Sequence, residues 1–86
     1  MFEVLFSPPA GRFVKDADHT LRKRLERCFQ QLRTDPYNHN NIKRLSGRFS
    51  GFFRFRVGDW RVVYRVDASI RRVIVIDIGH RRDIYE

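Results

Sequence analysis

The side chains best suited to chemistry fall in two stretches. Phe52 to Asp67, FFRFRVGDWRVVYRVD, carries Arg54, Arg56, Arg61 and Arg65 at alternating positions on either side of Gly58-Asp59. Gly79 to Tyr85, GHRRDIY, groups an imidazole, two guanidinium groups and a phenol within seven residues. Guanidinium groups present planar, bidentate donors matched to phosphate. Histidine is the side chain best placed for proton transfer near neutral pH. Together these groups form the inventory that metal-free RNA cleavage needs. A base takes the 2′-OH proton as that oxygen attacks the neighbouring phosphate, cations hold the phosphate, and an acid protonates the leaving 5′ oxygen. Arg61, His80, Arg81 and Tyr85 are the candidate catalytic groups. Arg54, Arg56, Arg65, Lys43, Arg44 and Arg82 are the candidate RNA and phosphate contacts.

Other chemistries are poorly served. There is no phosphate-cradling glycine loop, no carboxylate cluster for a two-metal site, and no Ser/His/Asp or Cys/His constellation at suggestive spacing. A histidine metal site would draw its ligands from three separated regions, so no metal and no cofactor is expected. His19 and His39 lie in polar helix-start and loop contexts and read as solvated.

The arginines are positioned by a hairpin. Gly58-Asp59 reads as a two-residue turn of type II′, which takes glycine at its first central position. Val57 then faces Trp60, Phe55 faces Val62 and Phe53 faces Tyr64, so these six share one face that must pack on something. Arg54, Arg56, Arg61, Val63 and Arg65 share the other face, with Arg56 directly opposite Arg61. Like charges so placed destabilise a sheet by ~0.2–1 kcal/mol. A solvated outer face more naturally mixes Thr, Glu and Lys. An all-arginine face reads instead as an anion site, with phosphates supplying the negative charge.

The remaining chain supplies the packing. Phe2 to Phe6 reads as a strand, and Ser7-Pro8-Pro9 as a helix start with Ser7 as N-cap and proline in the first turn. That helix runs to about Lys15 and is weakened by Gly11. A second helix starts near Asp18 and ends near Arg33, with Leu21, Leu25, Cys28, Phe29 and Leu32 on one stripe. Asp35-Pro36 ends it. Ile42 to Leu45 reads as a short edge strand and Ser46 to Gly51 as a turn. Arg72 to Ile78 is the most apolar strand; its near-continuous apolarity places it centrally, buried on both faces. The closing segment then begins at Gly79. The expected fold is α+β: an N-terminal strand and two helices packed on one face of a small, mainly antiparallel sheet of four to five strands. Residues 1–86 are expected to form one domain.

Charge and cysteine usage bound the partners. The formal charge of +8 comes from 15 Arg and 3 Lys against 10 acids. It is uneven, net +2 over residues 1–42 and net +6 over 43–86, so the basic surface belongs to the strand-rich half. Cys28 is alone, which rules out an internal disulfide and any cysteine-based zinc site. No run of residues suits a secretion signal or a bilayer span, which points to a reducing, cytoplasmic setting.

Several segments together resemble the RelE/ParE superfamily of type II toxin–antitoxin toxins, most closely its RelE-like ribonucleases. They are the first strand followed by Ser-Pro-Pro, the basic amphipathic helix ending in Asp-Pro, Leu45-Ser46-Gly47, Arg56-Val57-Gly58-Asp59-Trp60-Arg61, and Gly79-His80-Arg81-Arg82-Asp83-Ile84-Tyr85. The resemblance spans essentially the whole chain. It implies a microbial-ribonuclease-like fold that enters the ribosomal A site, cuts mRNA there without metal, and so inhibits translation. It implies functional positions at Arg54, Arg56, Arg61, Arg81 and Tyr85, with His80 matching a histidine of some relatives. It also implies a cognate antitoxin; at +8, the natural partner is an acidic, partly disordered segment that wraps helix and sheet surfaces. One departure matters. The best-known ribonucleases place a lysine usable as general base where this chain has Arg54, and arginine is a poor base. The acid–base role is therefore assigned to His80, with Arg54 and Arg56 binding phosphate and Tyr85 stacking on or aligning a base. A ParE-like inhibitor of DNA gyrase that cuts no RNA, and an inactive RNA- or ribosome-binding module, remain open alternatives.

Overall fold

Both helices begin where a short polar side chain can take up an orphan backbone N–H. The Ser7 hydroxyl accepts from Ala10 N–H (3.3 Å) and opens α1, Pro8–Asp16. The Asp18 carboxylate accepts from Leu21 N–H (2.8 Å) and opens α2, His19–Thr34. Each such cap contributes about 1 kcal/mol. Asp35, before Pro36, adopts extended dihedrals and ends α2 as the proline requires. The computed structural model describes residues 1–84, so the candidate group Tyr85 lies outside the described residues.

Five strands make one sheet: β1 Glu3–Phe6, β2 Ile42–Arg44, β3 Phe53–Val57, β4 Trp60–Asp67 and β5 Arg72–His80, in spatial order β1-β5-β4-β3-β2. The chain leaves β1 at one edge, crosses the sheet as α1 and α2, re-enters at the other edge as β2, and walks back through antiparallel β3, β4 and β5. β5 closes the sheet beside β1, in parallel. A single 3₁₀ turn, Gly47–Phe49, lies where a plain turn was expected.

The hairpin has the expected register. Val57 pairs with Trp60, Arg56 with Arg61, Phe55 with Val62 and Phe53 with Tyr64. Gly58 has φ +59° while Asp59 stays in the ordinary negative-φ range, which is the type II′ pattern. The helices cover the apolar face. Leu25, Cys28, Phe29 and Leu32 of α2 pack against Phe53, Phe55, Val62, Tyr64, Val73 and Val75. Fully burying a side chain such as Leu25 or Phe29 is worth about 1.5–3 kcal/mol.

β5 is an interior strand as expected, lying between β4 and β1, but it is not buried on both faces. Only one face of β5 is fully covered: Val73, Val75 and Ile78 are buried, Ile74 and Ile76 are half-buried, and Asp77 is exposed. Its pairing with β4 also skips a residue. Val63 pairs with Asp77 and Tyr64 with Val75, so Ile76 is a bulge. The Ser7 hydroxyl donates to the orphaned Ile76 carbonyl (2.8 Å), tying the first helix cap to this irregularity. The strand continues through Gly79 and His80, two residues beyond its expected end.

Candidate functional site

The face away from the helices carries two cross-strand rows of polar groups. One runs Lys43, Arg54, Val63, Asp77 across β2, β3, β4 and β5; the next runs Arg56, Arg61, Gly79. Arg65 is exposed on the same face further along β4, opposite Ile74. Arg54 is held in place by its edge, its guanidinium donating to the Asn41 carbonyl (2.8 Å). The Arg61 guanidinium turns toward the hairpin tip and donates to the carbonyls of Gly58 (3.0 Å) and Trp60 (3.1 Å). Beyond that tip, the Arg81 N–H donates to the Asp59 carbonyl (2.8 Å) and its side chain approaches the Asp59 carboxylate (3.9 Å).

These guanidinium groups feel one another. Arg61 retains 9% of its surface exposure. Burial lowers its pKa, and the charges of Arg54, Arg56 and Arg81 lower it further, while Asp59 acts in the opposite direction. Arg54 is shifted down by burial and then by Arg56. Folding has gathered like charges where a bound anion lowers their energy.

The other expected site residues lie elsewhere. Arg44 pairs with Phe53 and places its guanidinium over that ring (5.1 Å), so it sits on the helix side of the edge and not among the arginines. Arg82 is exposed in the turn after β5. His80 is the main correction to the expected grouping. It pairs with Trp60, whose ring it meets edge-on (5.4 Å, 80°), and Trp60 in turn meets Phe13 of α1 (5.3 Å). The imidazole therefore lies on the helix side of the sheet, opposite to Arg61. Its Nδ1 accepts from Arg82 N–H (3.3 Å) and its carbonyl from Asp83 and Ile84 N–H (2.8 and 3.2 Å), so it organises the closing turn. The bulge at Ile76 is the physical reason, because one extra residue exchanges the two faces of every later position on β5.

The same exchange brings in a group the sequence reading passed over. Asp77 stands on the arginine face, in the row of Lys43 and Arg54. Its signal was available: it is the one carboxylate inside an otherwise apolar strand. His39 is exposed, as expected of a loop histidine; its ring lies against Phe55 (5.0 Å, 30° between rings) and its Nδ1 accepts from Asn41 N–H (3.0 Å). Among the described residues no group of three His, Cys, Asp or Glu side chains is placed to hold a metal ion, and no helix is long and apolar enough to cross a membrane.

The family model for the ParE toxin of the type II toxin–antitoxin system parDE matches residues 4–85. The chain belongs to this toxin family. Solved structures agree with that membership in the RelE/ParE superfamily. The toxin–antitoxin complex RelBE2 from Mycobacterium tuberculosis matches at 26% identity and TM-score 0.79, over 93% of this chain and 98% of that one. An archaeal RelE–RelB complex from Pyrococcus horikoshii matches at 18% identity and TM-score 0.81, over 96% and 98%. A YoeB/ParE toxin from Agrobacterium tumefaciens matches at 19% identity and TM-score 0.81, over 92% and 98%. Comparison with curated protein sequences finds no match. As a type II toxin with the two-helix, five-stranded RelE-like fold, the protein carries its family's architecture with its arginine face turned away from the helices.

Proposed function

We propose that this toxin is a ribosome-dependent endoribonuclease of the cytoplasm that cuts mRNA in the A site by 2′-OH attack. The observation that carries the reading is the convergence of Arg54, Arg56, Arg61 and Arg81, whose charges act on Arg61 together. A scissile phosphate at this cluster gains charge-assisted hydrogen bonds, and the same groups stabilise the added charge of the pentavalent transition state. Asp77, on the same face, takes the acid–base role that His80 is placed too poorly to fill. The 2′ oxygen forms a bond to phosphorus as its proton passes to Asp77. The bond from phosphorus to the 5′ oxygen breaks, leaving a 2′,3′-cyclic phosphate and a 5′ oxygen that takes its proton from solvent. Tyr85 keeps its assignment as the stacking partner of a base.

The second reading is inhibition of DNA gyrase by binding, without RNA cleavage. It is favoured by one observation, the absence of the His80 imidazole from the arginine face. Induced expression with mRNA 5′-end mapping separates the two. Codon-phased cuts with wild type, lost with a combined Arg61→Gln and Tyr85→Ala variant, are expected. Intact mRNA together with gyrase-dependent DNA damage would overturn the nuclease reading.

A cognate antitoxin follows from the family and from the charge. An acidic segment that folds onto the basic surface would neutralise it and cover the arginine rows. Co-expression of an acidic neighbouring reading frame should suppress toxicity, and deletion of its toxin-binding segment should restore it.

A further inference from the structure

A second concentration of guanidinium groups lies around the sheet edge, on the helix side. Between α2 and the tip of the β3–β4 hairpin is a cavity of about 480 Å³. Arg24 and Arg27 of α2 and Arg56 of β3 line it. None of the three guanidinium groups makes a hydrogen bond or an ion pair with another described residue. Arg24 lies against the bare backbone of the hairpin turn: a Cβ on Gly58 would come within 2.6 Å of its Nη2. The cavity also has an apolar part, made by Phe55, Val57 and Cys28, with the His39 ring tilted against Phe55. Among the described residues no carboxylate lines it.

We propose that this cavity is a second RNA subsite, holding one nucleotide next to the one on the arginine face. Its phosphate is bound by Arg24 and Arg27 and its base lies against His39. The inference rests on the reading of the arginine face as an RNA site. Three observations favour a nucleotide over an acidic peptide. Arg56 belongs both to the Arg56–Arg61 row and to the cavity wall, so one strand crossing the β3 edge passes from one cation cluster to the other. The exposed His39 ring, backed by Phe55 at 5.0 Å and a 30° tilt, offers a planar surface, and stacking on such surfaces is how single-stranded bases are held without regard to sequence. The volume suits one small planar unit and its phosphate, at the lower end of small-ligand sites. A folded peptide helix needs a long groove instead.

The test compares a 2′-O-methyl trinucleotide, long enough for the arginine face alone, with a 2′-O-methyl nonamer, both fluorescently tagged and resistant to 2′-OH attack. Binding to the full-length protein is measured by anisotropy across a salt series. Wild type should bind the nonamer more tightly. Arg24→Gln/Arg27→Gln should lose about tenfold in nonamer affinity, with a log K against log salt slope shallower by roughly 0.7, the value for one phosphate of a single strand. Trinucleotide affinity and melting temperature should not change, since both arginines are exposed. His39→Ala should weaken the nonamer without changing the salt slope, because it removes a stacking surface and no fixed charge. An unchanged nonamer affinity and slope in the double variant would overturn the subsite and leave the arginine face untouched. Failure of wild type to bind the trinucleotide would overturn the arginine-face reading instead. If a poly-glutamate peptide loses binding in the double variant while the nonamer does not, the cavity is a protein-docking site and the proposal is wrong.

Discussion

Asp77 and Arg54 stand in one cross-strand row of the sheet, with Val63 of β4 between them. The carboxylate is thus on the same face as the arginine cluster, and the imidazole three residues later is not. Asp77→Asn should lower mRNA cleavage by about 10²-fold or more, the usual size of a lost general base. Affinity for non-cleavable RNA should hold or rise, because a negative charge has been removed beside the phosphate. His80→Gln should change cleavage far less. The opposite ranking in a purified ribosome cleavage assay would return the imidazole to the mechanism.

Arg56 stands directly opposite Arg61, a like-charge pair that costs the sheet stability. Arg56→Thr should stabilise the protein by ~0.2–1 kcal/mol at low salt and weaken RNA binding. Added salt should narrow the stability difference, since screening relieves the repulsion that remains in wild type. Denaturant melts at two ionic strengths measure both effects.

Tyr64 is fully buried and its hydroxyl donates to the Pro36 carbonyl (2.7 Å), joining the loop after α2 to the central strand. Burial and the neighbouring negative groups push the phenol's pKa well up, so it remains a donor throughout the accessible pH range. Tyr64→Phe leaves that carbonyl without its partner and should cost about 1–3 kcal/mol. Thermal denaturation reads the loss, with RNA affinity of the folded variant unchanged.

Gly79 faces the same side as Arg61, and Ile84 closes over it. A Cβ there would stand 3.0 Å from Ile84 Cγ1. Gly79→Ala should push the 81–84 turn off the sheet and loosen the Arg81 N–H bond to Asp59. Hydrogen exchange at the Arg81 and Ile84 amides should quicken, while exchange within β3 stays slow.

Asp35 accepts from Tyr37 N–H (2.9 Å), Asn38 N–H (3.1 Å) and the Asn38 side chain (3.2 Å), and these bonds hold its pKa below the ordinary carboxylate value. A lowered folded-state pKa contributes stability above the unfolded value that is lost as pH falls through the folded one. The Tyr37 and Asn38 amides should therefore stay protected near neutrality and exchange faster only below about pH 4. Asp35→Ala should make them fast at every pH. A protection pattern flat down to strong acid would remove the carboxylate from the loop's support.

The hairpin was legible because two residues, Gly58 and Asp59, fix both turn type and register, and alternation does the rest. The helices were legible because Ser7 and Asp18 mark their starts and prolines mark their surroundings. β5 was not. Its apolar run hides a bulge at Ile76, and period-two reading has no signal for an extra residue whose carbonyl is satisfied by a hydroxyl 69 positions away. From Val73 and Val75, unbroken alternation would put His80 on the arginine face and Asp77 inside. The structure does the reverse, so the error in the site was a consequence of the error in one strand. The second cavity was also out of reach, because it joins arginines of α2 to the hairpin through packing alone.

The parallel seam between β1 and β5 joins Glu3 to Arg72 and Phe6 to Val75. The opening strand therefore finds its neighbour only in a segment 69 positions further along the chain. A nascent chain stopped short of Arg72 has its helices and its arginine hairpin but no last strand to lock them together. The sheet, and with it the placing of Arg54, Arg56 and Arg61 beside β5, is complete only when that last strand has docked.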